Sequence, residues 1–178
     1  LMKSKWGGFL RYLLPLLFLC LQWPFLNADP DLTLNGSRGP WADEGQYSVQ
    51  ARNFILSGDW TMEASDALFK TPLFSALQYV NFSVCGISLI NARLSVLLVV
   101  FLCLLIALRN SDYFGKVTLW VMPIALTQFY LFHYSHFSLA ELPAISCIWL
   151  SFAFFLKRDE TSPLGYKPML WAYGFLLL

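Results

Sequence analysis

The chain of 178 residues is too apolar for a soluble domain of its length. Hydrophobic residues make up 57% of the sequence and charged residues only 13%, and the mean hydropathy is +0.56. This composition indicates an integral membrane protein. The net charge of +1 gives no reason to expect a nucleic-acid partner. The four cysteines show no metal-ligand spacing, and we interpret them as small hydrophobic residues.

Apolar runs long enough to cross a bilayer recur along the chain. A spanning helix needs roughly 17 to 25 mostly apolar residues. The sequence predicts spans at about 9–27, 91–109, 117–135 and 140–156, and a truncated one at 168–178. The first run has a competing interpretation as a cleaved signal peptide, but its length, Pro15 and Trp23 favour an uncleaved anchor. We therefore expect the N-terminal part of a longer all-α membrane protein, a multi-span helical bundle.

The orientation of these spans follows from the basic residues between them. If the N-terminus is cytoplasmic and 72–90 does not cross, then Arg109, Lys116 and the basic residues in 157–167 all face the cytoplasm. The positive-inside rule favours this arrangement, whereas counting 72–90 as a span would put all of them outside. The sequence thus predicts one large extracytoplasmic loop, 28–90, that carries juxtamembrane helices.

A helix is predicted in this loop after Pro40, with Gly58 as its stop. The residues that share one helical face are Asp43, Tyr47, Ala51, Phe54 and Ile55. This amphipathic pattern is typical of a helix that lies flat on a membrane surface. Asp43 with Gln46 three residues later resembles a capping box, which would explain one acid. Glu44 is not needed for a cap, so the adjacent acids also favour a functional site.

Two further charged residues are expected on the same outer face as Asp43 and Glu44. Arg93 opens the second span, either as a snorkelling arginine or as a bidentate clamp for an anion such as phosphate. Glu141 opens the fourth span, either as a favourable N-terminal acid or as a functional group at the membrane edge. The predicted topology brings all four together, and this convergence indicates a site.

Several motifs occur in a characteristic order. They are Trp41-Ala-Asp-Glu-Gly-Gln-Tyr-Ser-Val-Gln-Ala-Arg-Asn53, Ser57-Gly-Asp-Trp60, Thr71-Pro-Leu73, Gly86, Ala92-Arg-Leu94 and Ser138-Leu-Ala-Glu-Leu-Pro143. In this order they resemble the C superfamily of membrane glycosyltransferases, especially the branch of protein O-mannosyltransferases and lipid A aminoarabinose transferases. Lys70-Thr-Pro72 departs from the Lys-Pro-Pro of some members, which leaves the acceptor open.

The resemblance implies an enzyme that transfers a sugar, with inversion, from a polyprenyl-phosphate donor to a protein or glycolipid acceptor. The reaction would take place on the extracytoplasmic side of a bacterial or archaeal inner or plasma membrane. The catalytic residues implied are Asp43, as the general base, and Glu44, which would position hydroxyl groups. The substrate-binding residues implied are Arg93 at the leaving phosphate, Glu141, Tyr47 and Arg52. No cofactor is required, and a divalent metal is compatible but not indicated.

Two further expectations concern the activity of this chain alone and the alternative class of protein. The chain up to residue 178 is expected to be inactive alone, because the acceptor site usually depends on the region beyond it. The alternative from another class is a multi-span transporter or a non-catalytic membrane scaffold. Transporters place their ionisable groups near the bilayer midplane on broken helices. In this sequence the ionisable groups are predicted at one membrane interface, which favours the enzyme over the transporter.

Overall fold

The computed structural model describes residues 5–28, 42–60, 71–110 and 137–156, and every regular element in these ranges is helical. The helices are α1 (Lys5–Gln22), α2 (Ala42–Ser57), α3 (Pro72–Cys85), α4 (Leu89–Asn110) and α5 (Glu141–Leu156), with a 3-10 turn at Trp23–Phe25. The predicted all-α class is confirmed for this part of the chain. The spans predicted at 117–135 and 168–178 lie outside the described residues.

Helix α4 has the length and composition of a membrane span. Its segment Leu89–Arg109 is 21 residues long with a mean hydropathy of 2.6, and no other helix in the described ranges meets both criteria. At about 1.5 Å per residue such a helix matches a hydrocarbon core of roughly 30 Å. Leu98, Leu102 and Ile106 are exposed along it and give it an apolar outer surface. The span predicted at 91–109 therefore coincides with a helix of spanning length.

Helices α1 and α5 form where the first and fourth spans are predicted, but their apolar stretches are shorter. These stretches are Pro15–Phe25 and Glu141–Ser151. The α-helix of the first stretch ends at Gln22, where Pro24 lacks the N–H that a further turn would use and a 3-10 turn follows. The structure thus shows helices at both predicted positions, whereas among the described helices only α4 is both long and apolar enough to cross a membrane.

Helix α3 occupies most of the segment 72–90 and is too short to cross a bilayer. Its 14 residues begin at Pro72, a residue suited to the first turn of a helix. They end before Gly86, which has a φ of 86° and whose N–H donates to the Phe82 carbonyl at 3.0 Å. At about 1.5 Å per residue α3 extends only about 21 Å. This agrees with the prediction that 72–90 does not cross.

The two loop helices are packed at the N-terminal end of α4. Helix α2 packs on α3, and α4 packs against α1, α3 and α5. A small apolar cluster of Ala51, Phe82 and Ala92 joins α2, α3 and the first turn of α4. A second cluster of Cys103, Ala107 and Leu150 joins α4 to α5 further along. The residues predicted to form a site are thus carried by helices that meet at one end of the bundle.

Candidate functional site

Both acids of the loop lie in the first turn of α2. The helix begins at Ala42, so Asp43 is its second residue and does not occupy the capping position before it. The capping-box interpretation of Asp43 is therefore not supported. An acid in the first turn is still favoured by the helix dipole. The predicted stop is confirmed, because Gly58 has a φ of 75° and its N–H donates to the Phe54 carbonyl at 2.9 Å.

The buried face of α2 differs from the amphipathic face predicted from the sequence. Ala51 is buried as expected, but Asp43 is exposed and Tyr47, Phe54 and Ile55 are only partly buried. The buried polar residues of α2 are Glu44, Gln50 and Asn53. The prediction assumed that polar side chains face water, whereas a buried polar group is tolerated when it is hydrogen-bonded.

Glu44 forms an ion pair with Arg93 in the interior. The two side chains are 1% and 0% exposed. The guanidinium Nε and Nη2 donate to Glu44 Oε1 and Oε2, both at 2.8 Å, which is the bidentate geometry of a strong arginine–carboxylate pair. The backbone N–H of Ser138 donates to Oε1 at 2.7 Å as a third hydrogen bond. Glu44 thus connects α2, the first turns of α4 and the segment before α5.

Arg93 extends this connection to the end of α1. Its Nη1 donates to the carbonyls of Leu26 at 3.0 Å and Ala28 at 2.7 Å. The guanidinium carbon also lies 5.1 Å from the centroid of the Phe137 ring, within cation–π range. Of the five N–H donors of an arginine, four are used by these hydrogen bonds. The partners of Arg93 are therefore protein groups, unlike the phosphate expected from the sequence.

A second set of polar groups lies at the surface, and we call Asp43, Tyr47 and Glu141 the exposed patch. The Tyr47 hydroxyl donates to Glu141 Oε1 at 2.9 Å and joins α2 to the first residue of α5. This hydrogen bond, partial burial, and the negative charges of Glu141 and Asp43 all raise the pKa of Tyr47. Of the four residues predicted to converge, Asp43 and Glu141 thus lie in the exposed patch, whereas Glu44 and Arg93 form the buried pair.

An apolar groove of about 700 Å³ borders the exposed patch. It lies between α3, α4 and the start of α5, and its lining includes Leu77, Val80, Val99 and Ala144. Phe74 lines the groove and also contacts Tyr47, with ring centroids 5.8 Å apart in an edge-to-face arrangement. On the other side of the groove, Ala140 flanks Glu141 in sequence. A polar surface and an apolar cleft therefore lie side by side.

Arg52 is not brought to the exposed patch. It follows Asp43 by nine positions on the same helix, which places it about 13 Å along the axis and half a turn away. The side chain is exposed, and its Nη1 donates to the neighbouring Asn53 Oδ1 at 3.2 Å. Its predicted role in substrate binding therefore has no geometric support from Asp43, Tyr47 or Glu141.

The sequence interpretation missed Gln78 and Ser138 as members of this region. Gln78 is fully buried, and its Nε2 lies 3.1 Å from Ser138 Oγ and 3.1 Å from Ser95 Oγ. The signal in the sequence is the set of polar side chains in the uncharged segment 72–90, namely Gln78, Asn81 and Ser83. These side chains favour a helix that does not cross the membrane, but they do not identify the partners of Gln78.

Neither a metal cluster nor a known relative adds to this description. Within the described ranges no group of three or more His, Cys, Asp or Glu residues lies together in a metal-binding arrangement. No protein-family model matches the chain, and neither the curated proteins nor the solved structures contain a significant match. The resemblance carried by the sequence motifs therefore stays a prediction, and the geometry of the site must support any function on its own.

Proposed function

We propose that this chain is part of a membrane glycosyltransferase that moves a sugar from a polyprenyl-phosphate donor to an extracytoplasmic acceptor with inversion. The observation that carries the proposal is the position of the exposed patch. Carboxylates and a phenol lie beside an apolar groove, at the N-terminal end of a helix of spanning length. An amphiphilic substrate with a polar head and an isoprenoid tail requires this combination.

The groove suits the tail of such a donor. Ligand sites are typically clefts of about 300–1,000 Å³ with mostly apolar walls and a few convergent polar groups. The groove of about 700 Å³ falls in this range, and its polar neighbours are at one end, where Phe74 meets Tyr47. A prenyl chain in the groove would leave its phosphate and sugar next to Asp43 and Glu141.

Asp43 is the proposed general base. Its carboxylate is exposed in the first turn of α2 and can take the proton of an acceptor hydroxyl. The acceptor oxygen then forms a bond to the anomeric carbon, and the bond from that carbon to the phosphate oxygen breaks. The electron pair leaves with the prenyl phosphate. Because the Tyr47 proton is donated to Glu141, the Tyr47 oxygen and the Glu141 carboxylate act as acceptors that orient sugar or acceptor hydroxyls for this in-line displacement.

Glu44 and Arg93 have an anchoring role in this proposal. A buried, bidentate pair with further backbone hydrogen bonds holds α2 against α4 and α5. In this proposal the pair takes the place of the bidentate phosphate clamp predicted for Arg93, because protein acceptors hold four of its five N–H donors and a bidentate grip needs two. The pair contributes to catalysis by fixing the first turn of α2, on which Asp43 stands.

The proposal keeps the membrane topology inferred from the sequence. In that topology α2 and α3 belong to an extracytoplasmic loop of a multi-pass membrane protein and lie at its outer interface. The active site then faces away from the cytoplasm of a bacterial or archaeal cell. Neither a metal nor a cofactor is assigned a role in this displacement, in which Asp43 takes the proton and the electron pair leaves with the prenyl phosphate.

Transfer by the protein expressed from its complete reading frame tests the proposal. The purified protein is placed in liposomes with radiolabelled polyprenyl-phosphate mannose or aminoarabinose, and label transfer to peptide and glycolipid acceptors is measured. Asp43→Asn should lower the rate by about 10²–10⁴, the usual contribution of a general base. Asp59→Asn, an exposed acid beyond the other end of α2, is the matched control and should transfer at the wild-type rate.

Two outcomes would contradict the proposal. Wild-type transfer by the Asp43→Asn variant would remove Asp43 as the base. Wild-type protein that transfers none of the prenyl-linked sugars, but moves solutes across the liposome membrane, would favour the transporter instead.

A further inference from the structure

Helix α3 exposes apolar side chains and buries an amide, whereas a helix of a soluble protein usually exposes its polar side chains. Its exposed side carries Val80 and Val84, which are 60% and 80% exposed, whereas Gln78 is 0% exposed. Burying an amide costs free energy unless the amide is hydrogen-bonded, so we expect the hydrogen-bond partners of Gln78 to offset this cost. They lie on two other parts of the chain: Ser95 and the Ala92 carbonyl on α4, and Ser138 before α5.

Ser138 is held from two directions. Its backbone N–H donates to Glu44 Oε1 at 2.7 Å, and its hydroxyl accepts from Gln78 Nε2 at 3.1 Å. Ser138 and the preceding Phe137 are both 0% exposed. A single hydrogen bond would leave the segment free to rotate about that contact, whereas two hydrogen bonds from different helices fix its direction.

The segment fixed in this way leads directly into α5 and Glu141. Leu139 N–H donates to the Phe137 carbonyl at 2.9 Å, and Ala144 N–H donates to the Ala140 carbonyl at 3.2 Å. These hydrogen bonds order the chain at both ends of the short segment between Phe137 and the first turn of α5. The position of Ser138 therefore constrains that of Glu141, three residues later.

We propose that Gln78 is a positioning residue: through the Ser138 hydroxyl it sets where Glu141 stands relative to Tyr47, and so shapes the exposed patch. This inference rests on the proposed function for its effect on catalysis. A displacement of about 1 Å in a positioning group can cost on the order of 10²-fold in rate. Gln78 itself is buried and touches no substrate.

The first test is a double-mutant cycle on the transfer reaction of the complete protein. Gln78→Met keeps the length of the side chain and removes its donor, and Ser138→Ala removes the acceptor while the backbone N–H to Glu44 remains. Each should lower kcat by roughly 10-fold or more, with little change in the KM for the prenyl donor. The two effects should be less than additive, because both variants delete the hydrogen bond between Gln78 and Ser138, while Gln78→Met also deletes those to Ser95 and the Ala92 carbonyl.

The cycle is then repeated with Glu141→Gln. If Gln78 acts through Glu141, Gln78→Met should have no further effect on kcat in that background. A purely structural role would lower kcat equally in both backgrounds and overturn the inference, as would an unchanged kcat in Gln78→Met. Ser83→Ala is the matched control on α3, since its exposed hydroxyl donates to the Tyr79 carbonyl of its own helix.

A second measurement does not depend on activity. Cysteines are introduced by Tyr47→Cys and Glu141→Cys, the native cysteines are replaced by serine, and the rate of disulfide formation with a mild oxidant is followed. Adding Gln78→Met should lower this rate several-fold, and Ser83→Ala should not. An unchanged rate overturns the positioning role even if transfer is observed. A lowered rate in a protein that transfers no sugar supports the positioning role while contradicting the proposed function.

Discussion

Asp43 and Glu44 are adjacent in the chain, but they occupy opposite environments. Asp43 is exposed in the patch with Tyr47 and Glu141, whereas Glu44 is 1% exposed and bonded to Arg93 and Ser138. Successive residues of an α-helix are rotated by about 100°, which is enough to place one acid outside and the next inside. Two acids in a row therefore differ in their contacts: Asp43 is exposed at the surface, and Glu44 holds α2 against α4 and the segment before α5.

The largest expected effect on stability comes from removing the partner of Glu44. Arg93→Met leaves a carboxylate in the interior without its cation, and breaking a buried pair in this way costs about 3–5 kcal/mol. Arg109→Gln, at the exposed end of the same helix, should cost less than about 1 kcal/mol. Denaturant unfolding in detergent measures both, and equal losses in the two variants would contradict the buried pair.

A smaller effect is expected at the hydrogen bond of the exposed patch. The carboxylate of Glu141 raises the pKa of Tyr47 above its ordinary value of 10.0, with partial burial and the charge of Asp43 adding to the shift. The folded state therefore favours the protonated phenol. Its contribution to stability is complete below pH 10.0 and is lost as the pH rises through the raised pKa.

The titration of Tyr47 reports on the exposed patch and not on the buried pair of Glu44 and Arg93. Subtracting the tyrosinate absorbance of Tyr47→Phe from that of the wild type isolates the titration of Tyr47, whose midpoint should lie above 10.0. In Glu141→Gln the midpoint should fall, because the largest cause of the shift is removed. A wild-type midpoint at or below 10.0 would mean that the hydrogen bond between α2 and α5 does not form.

The smallest expected effect concerns the residue that follows the two acids. Gly45 is helical and exposed, and a Cβ added there would meet no atom within 4 Å. Gly45→Ala should therefore stabilise the protein by roughly 0.5–1 kcal/mol. Gly58→Ala has equal space but a φ of 75°, and should destabilise by about 1 kcal/mol. Thermal unfolding checks the opposite signs, and the same sign for both would contradict the described end of α2.

The local features of the fold followed from the sequence. The helix of the loop, its stop at Gly58 and the non-spanning helix in 72–90 depend on periodicity and on glycine and proline, which act over a few residues. The charge bias of the loops placed Glu141 on the same face as the acids of α2. The hydrogen bond between Tyr47 and Glu141 agrees with that placement.

The partners of the buried groups did not follow from the sequence. Arg93 bonds to a residue 49 positions away, and Gln78 to one 60 positions away. Such pairings depend on how the helices pack and leave no trace in local periodicity. For the same reason the amphipathic face predicted for α2 does not include Glu44, which is buried against Arg93. The phosphate role of Arg93 was a reasonable expectation for an isolated arginine, which this one is not.

The most direct test compares the two neighbouring acids in one measurement, the free energy of unfolding of Asp43→Asn and Glu44→Gln under identical conditions. Both variants replace a carboxylate by an amide of the same shape. Glu44→Gln leaves Arg93 buried without a counter-charge and should lose at least about 3 kcal/mol. Asp43→Asn should stay within about 0.5 kcal/mol of the wild type. Equal losses, or a larger loss for Asp43→Asn, would contradict the division of roles between the two acids.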